Sequence, residues 1–275
     1  MNTPLINIIT RFSREKGMVR ALQSLNEQTY DNVKHYITYE TVEGLEFLKS
    51  LEYKYPTKFI KVPKYTKIDN LWLYGEHHGL DTDYLNWDWG KWDVKVVLGD
   101  EVPPRKEIPC TKKRFHGNGK WSETLPHSHR VKSRHAPYNF YCKLAEAYID
   151  EGWVGYLDDD DVYTNHHSLS LLTDQIKKTN EDTLQVFRIS IKTNDGGNIK
   201  PPNRYMDHLL TGQPLVIYEI GGACVCFHSK WKEYTQWGHW SGDDYRTISV
   251  LDKVIPNRNI INKILYNALP YQEQE

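Results

Sequence analysis

Four consecutive carboxylates, Asp158 to Asp161, follow the apolar run Gly-Trp-Val-Gly-Tyr-Leu that ends at Leu157. Like charges repel and each is costly to desolvate, so a folded chain keeps such a run where something compensates it. A solvated acidic turn is the usual outcome of a charge run. Here the run closes a segment of strand type, and ligands of open α/β sheets bind at the carboxyl ends of strands. Ligand sets made only of oxygen suit a hard divalent cation. The pattern points to a metal site that holds phosphates. It is not an EF-hand, because the sixth and twelfth loop positions counted from Asp158 hold Tyr163 and Leu169 in place of Gly and Glu.

Further acidic and basic groups fall at places where chemistry is possible. Gly242-Asp243-Asp244 precedes a stretch of helical spacing and follows Trp237, Gly238 and Trp240. Asp at a helix start is commonly a cap. A carboxylate beside an aromatic sugar platform is also suited to take a proton from an attacking hydroxyl. Thr10-Arg11 and Glu40 end the first two expected strands, on the rim where the four Asp must lie. Cys110, His116, His127, His129 and His135 match no standard zinc spacing. Cys224 and Cys226 share one face of an expected strand, where buried packing is the expected role. Gly-x-Gly-x-x-Gly, Gly-Lys-Ser/Thr and Gly-x-Ser-x-Gly motifs are absent, which removes support for a dinucleotide fingerprint, a P-loop or a nucleophile elbow.

These residues need a frame. Leu5–Thr10 reads as a short buried strand, and Ser13 as a cap for a helix carrying Met18, Leu22 and Leu25. Val33–Tyr39 reads as a strand, followed by a helix with Leu45, Leu48 and Leu51 and by a strand at Lys58–Val62. This β-α-β-α-β order predicts a doubly wound, parallel sheet. From about Tyr65 to Arg134 the rhythm breaks into an insertion rich in Trp, with one clear strand at Asp93–Leu98. Such a stretch is either a functional element beside the site or a flap packed by its own aromatics. A helix from Pro137, with Tyr141, Leu144, Ala145 and Tyr148 on one face, then stops at Gly152 and feeds the Asp-rich strand. A helix with Leu169, Leu172 and Ile176, strands at Leu184–Ile191, Leu215–Tyr218 and Ala223–Phe227, and a helix from Asp243 complete the pattern. The chain divides into a nucleotide-binding half (1–64), the insertion (65–135), a metal and acceptor half (136–255) and a tail (256–275), all within one domain.

Bulk composition excludes several classes. The 275 residues allow a substantial core, and 35 Lys+Arg against 36 Asp+Glu give no sign of a nucleic-acid surface. No apolar run approaches the length of a membrane span, and the N-terminus lacks a signal peptide pattern. Four Cys without a disulfide framework suggest a reducing, cytoplasmic setting. The 19 Tyr and 9 Trp can pack a core and can also stack on sugars and bases.

Taken together, Leu5–Arg11 with Ala21-Leu-Gln-Ser-Leu-Asn-Glu-Gln-Thr-Tyr30, Ala136-Pro-Tyr-Asn139 through Asp158–Asp161, Gly221-Gly222 and Gly242-Asp243-Asp244 resemble the motif order of family 2 glycosyltransferases with a GT-A fold. The resemblance covers about 1–62 and 136–250. It implies a Rossmann-like, mixed but mainly parallel sheet flanked by helices, with the aromatic-rich insertion outside it. It also implies transfer of a sugar from a nucleotide-diphosphate donor, a UDP- or GDP-sugar, to a glycan or other hydroxyl acceptor, with Mn²⁺ or Mg²⁺ and inversion. Asp160 would hold the metal, with Asp158 on the same motif and Asp159 near the ribose. Thr10, Arg11, Glu40, Arg134 and Asn139 would line the nucleotide-sugar pocket. Gly221, Gly222 and Trp240 would lie on the acceptor side. Asp244 would be the general base, with Asp243 as the alternative. The competing expectations are a sugar- or nucleotide-binding protein without turnover, and a nucleotide-sugar hydrolase.

Overall fold

The computed structural model describes residues 3–64, 138–191, 220–238 and 243–268, together with the backbone of seven strands between residues 71 and 133. Two compact units divide the chain: Met1–Tyr65 with Pro137–Glu275, and Thr66–Ala136.

The first unit is built on an eight-stranded sheet. In chain order it starts with β1 (Ile6–Arg11), α1 (Glu15–Asn26), β2 (Val33–Tyr39), α2 (Val42–Lys49) and β3 (Thr57–Lys61), the alternation expected from the apolar periodicity. The second unit contributes β4 (Leu71–His77), β5 (Trp92–Leu98), β6 (Glu107–Ile108), β7 (Lys113–Phe115), β8 (Trp121–Glu123), β9 (His127–Ser128) and β10 (Arg130–Ser133). The chain then returns to the first unit with α3 (Tyr138–Glu146), β11 (Trp153–Tyr156), β12 (Asp161–Tyr163), α4 (Ser168–Ile176), β13 (Thr183–Ile191), β14 (Val225–His228), α5 (Asp243–Val254) and β15 (Asn257–Ala268).

The large sheet runs β12-β15-β13-β14-β11-β1-β2-β3. Its β11-β1-β2-β3 segment is parallel, with Ile6 paired to both Trp153 and Val33. β14 runs antiparallel to both β11 and β13, while β13 and β15 are parallel. This is the mixed, largely parallel α/β sheet that the sequence predicts. Helices cover both faces. Ile6 and Ile8 of β1, with Trp153 and Leu157, pack against Ala21 and Leu25 of α1 and Leu169, Leu172 and Ile176 of α4. Side chains alternate across a strand, so Tyr156 must face the other side, and there its hydroxyl donates to Glu146 of α3.

Some expectations about this unit need correction. The residues after Pro256 form more than an apolar tail: β15 is twelve residues long and fills a place inside the sheet between β12 and β13. Its exposed polar positions Asn257, Asn262 and Lys263 obscure the strand pattern, because only part of it is buried. On α3 the buried residues are Asn139, Tyr141, Cys142, Ala145 and Glu146. Tyr148 lies beyond the helix end, 47% exposed, with Lys58 Nζ 4.0 Å over its ring. Gly152 does not stop the helix directly. It adopts φ +88° in the turn before β11, where an added Cβ would lie 2.7 Å from the Leu5 carbonyl oxygen.

The second unit contains a three-stranded antiparallel sheet, β10-β4-β5, and two small antiparallel pairs, β6-β9 and β7-β8. The strand expected at Asp93–Leu98 is β5; the others are mostly too short to leave an alternating signature. The proposed strand at Leu215–Tyr218 lies outside the described residues. No described helix is long and apolar enough to cross a membrane.

Candidate functional site

β11 stops at Tyr156, in mid-sheet between β14 and β1, and the four Asp emerge from its carboxyl end. Their loop rests on the start of α1. Asp159 accepts from the Ser13 amide at 2.5 Å, the Ser13 hydroxyl at 2.8 Å, the Arg14 amide at 2.8 Å and Arg14 Nη2 at 2.8 Å. A carboxylate from another strand thus takes up amides just ahead of the first turn and sits at the positive end of the helix dipole. Ser13, expected to cap α1, instead binds Asp159; the residue at the cap position is Arg14, whose side chain makes no cap bond. The fit is so close that a Cβ on Gly17 would stand 2.2 Å from the Asp159 carbonyl oxygen. Gly inside a helix is unfavourable, and this approach accounts for it.

The neighbouring carboxylates point elsewhere. Asp158 accepts from Arg11 Nε at 2.8 Å and also from Arg11 Nη2, a two-pronged pair. Arg11 Nη1 donates to Asn139 Oδ1 at 2.5 Å, and its guanidinium lies 5.1 Å over the Tyr138 ring. Burial works against the Arg11 charge, yet Asp158, together with Cys142 and Tyr138, holds the guanidinium above its ordinary value. Asp160 pairs with Arg14 Nη2 at 2.9 Å. Asp161 opens β12 and is 7% exposed. Burial first, and then the charges of Asp158 and Asp160, push its carboxyl well above the ordinary range. Burial raises Asp160 as well, with Arg14 opposing.

Asp158, Asp160 and Asp161 each present an oxygen within 4.8 Å of the others. Such a set, with one member nearly buried and destabilised by its neighbours' charge, fits a hard divalent cation in donor type and in charge. Asp161 is the member that sequence reasoning left without a task. Its signal is the length of the run: with Asp159 turned to the helix, three Asp remain whose oxygens can gather at one point.

A cavity of about 300 Å³ opens beside this triad. Arg11, Asn139, Asp158 and Asp160, which the resemblance assigns to the donor, are among its lining residues. Gly221, Gly222 and Asp244, expected on the acceptor side, line it too. Asp244 lies in the first turn of α5, and its Oδ2 would stand 3.5 Å from a Cβ on Gly221. Tyr138, Cys142, Tyr156 and Trp237 also line it; Tyr138 and Tyr156 lie within the stretches that carry the resemblance and Trp237 just ahead of Gly242-Asp243-Asp244, but none of the four has a role assigned from the sequence.

Other expected residues lie apart from the cavity. Thr10 is fully buried and hydrogen-bonded at 2.9 Å to His35 Nε2, whose burial lowers its pKa to about 3. Glu40 is half-buried and accepts from the Tyr141 hydroxyl at 2.6 Å. Asp159 is 2% exposed and engaged with α1. Arg134 and Trp240, and the side chain of Asp243, lie outside the described residues.

No family model matches the chain, and no curated protein matches it in sequence. Solved structures do share its fold. The crystal structure of S. aureus TarS matches with a TM-score of 0.54 at 9% identity, over 97% of this chain. TarS 1-349 in complex with UDP-GlcNAc matches with a TM-score of 0.53 at 11% identity, over 97% of this chain, and TarS 1-349 alone with 0.54 at 8%, over 98%. The chain spans 37%, 58% and 61% of those three chains. At these identities the likeness establishes the fold class, an α/β sheet of GT-A type.

Proposed function

We propose that the chain is a glycosyltransferase that moves a sugar from a nucleotide-diphosphate donor to a hydroxyl acceptor, with a divalent cation, Mn²⁺ or Mg²⁺, as cofactor. The observation that carries this reading is that one cavity joins the Asp158, Asp160, Asp161 triad to Asp244. The fold, shared with a protein solved with UDP-GlcNAc, supports a nucleotide sugar as donor.

Each residue has a task in this reading. Asp158, Asp160 and Asp161 would hold the cation, which supplies charge neutralisation to the diphosphate. Arg11 fixes Asp158 in place and, through Asn139, ties the strand end to α3. Asp244 accepts the proton of the acceptor hydroxyl as its oxygen bonds to the anomeric carbon. The bond from that carbon to the diphosphate breaks on the opposite face, so configuration inverts in a single displacement. The acceptor is a glycan or another polyol. A cytoplasmic setting accords with this reading, since Cys142, Cys224 and Cys226 are free, buried thiols.

The test is nucleotide release from a panel of UDP- and GDP-sugars with Mn²⁺ or Mg²⁺, with and without glycan acceptors. Acceptor-dependent release that Asp244→Asn abolishes is the expected result. Release that ignores the acceptor would identify a hydrolase, and binding without release a carbohydrate- or nucleotide-binding protein.

A further inference from the structure

On α3, Tyr138, Cys142 and Glu146 follow one another at four-residue steps and therefore share a face. Tyr138 and Cys142 line the cavity. Glu146 lies one turn deeper, 1% exposed. Its carboxylate is met from three elements. The Tyr156 hydroxyl donates to Oε1 at 2.6 Å and the Trp237 indole Nε1 donates to the same oxygen at 2.7 Å. Thr235 Oγ1 donates to Oε2, and Lys143 Nζ stands 3.9 Å away. That ammonium is itself fixed by the Thr235 hydroxyl at 2.8 Å and by the carbonyls of Lys232 and Thr235 at 2.7 and 3.0 Å.

The groups held by Glu146 belong to the cavity wall. Tyr156 and Trp237 both line it, with ring centroids 5.1 Å apart and planes at 73°. The edge of Trp237 closes against Gly222, where a Cβ would come within 3.1 Å of it. The same segment reaches Asp244: the Gln236 amide donates to Thr247 Oγ1 at 3.2 Å, on the helix that carries Asp244. A buried carboxylate is costly, and an apolar side chain would fill the same space without that cost. We propose that Glu146 is a positioning residue, which holds Tyr156 and Trp237 as the fixed wall against which a pyranose ring is seated beside Asp244.

The inference rests on the transferase reading for its ligand, but its geometry can be tested without turnover. With 5-fluorotryptophan in the chain and Trp237→Phe to assign its signal, Glu146→Gln should shift or broaden the Trp237 fluorine resonance and leave the remaining ones in place. An unmoved Trp237 resonance overturns the proposal, as does a general collapse of all resonances in Glu146→Gln and in Thr235→Val, the milder variant that removes a single donor. In the second arm, acceptor-dependent nucleotide release from UDP-GlcNAc with Mn²⁺ and a glycan acceptor should lose kcat roughly tenfold or more in Glu146→Gln, as expected when a reacting group is misplaced, with the donor KM held within about threefold. A rise in KM at unchanged kcat would overturn the positioning role. Absence of release in the unmodified protein would count against the transferase reading alone and leave the fluorine result standing.

Discussion

The two sides of the cavity manage buried charge in opposite ways. On the aromatic side, Glu146 is surrounded by donors from Tyr156, Thr235 and Trp237, and its carboxylate is used up inside the protein. Behind the acidic side, and apart from the cavity, Asp159 is used up in the same manner by Ser13 and Arg14. Its neighbour Asp161 is nearly as buried, yet no described side chain donates to it, and two further carboxylates crowd it. A satisfied buried carboxylate builds structure; a crowded one without a donor is poised for a cation. The difference separates scaffold from site within four consecutive residues.

The comparison can be broken at several points. The largest effect is expected at Asp244→Asn, which should lower transfer roughly a hundred- to ten-thousandfold, the range for a lost general base, while UDP-GlcNAc still binds. Equal loss of binding and turnover would move Asp244 from the reaction to the scaffold. Gly17→Ala pushes a methyl group into the Asp159 carbonyl and should cost about 3 kcal/mol of stability in denaturant unfolding. Stability unchanged by that substitution would mean that the Asp loop does not rest on α1 as described. Asp159→Asn keeps the shape and removes the charge that four donors surround; unfolding should show a loss of about 2 kcal/mol, with Mn²⁺ affinity retained.

The smallest effect is a slope. Burial and like charge raise the carboxyl of Asp161 in the folded protein above its unfolded value. The folded state then binds more protons, so the metal-free protein loses stability as pH rises from the ordinary carboxylate range through the raised value. Asp161→Asn should flatten that loss, and thermal melts across pH without metal should show the variant gaining on the parent as pH rises. Mn²⁺ should stabilise the parent more than the variant. Parallel melting curves for the two proteins would remove the electrostatic argument for the triad.

Much of this arrangement is legible in the sequence, because its signals are local. Short apolar runs separated by helical spacing give β1 to β3, and an apolar run that ends on four Asp locates the rim. Resemblance places Arg11, Asn139, Asp158, Asp160, Gly221, Gly222 and Asp244, all of which line the cavity. What stays hidden depends on contacts distant in sequence. Asp159 and Asp160 look alike as letters, and only the approach of α1, some 145 residues earlier, distinguishes them. Glu146 carries no signal in the sequence, and its place appears only where Tyr156, Thr235 and Trp237 converge on it. Thr10 closes a strand on the expected rim, but its side chain turns inward to His35. β15 escapes because a partly exposed strand mixes polar with apolar positions.

The central claim is that the triad of Asp158, Asp160 and Asp161 holds a cation through which a nucleotide sugar binds. Calorimetric titration of UDP-GlcNAc into the protein, with and without Mn²⁺, and into Asp160→Ala, tests it most directly. The account predicts binding that requires Mn²⁺ in the parent protein and is lost in the variant. Binding of equal strength in all three titrations would contradict it.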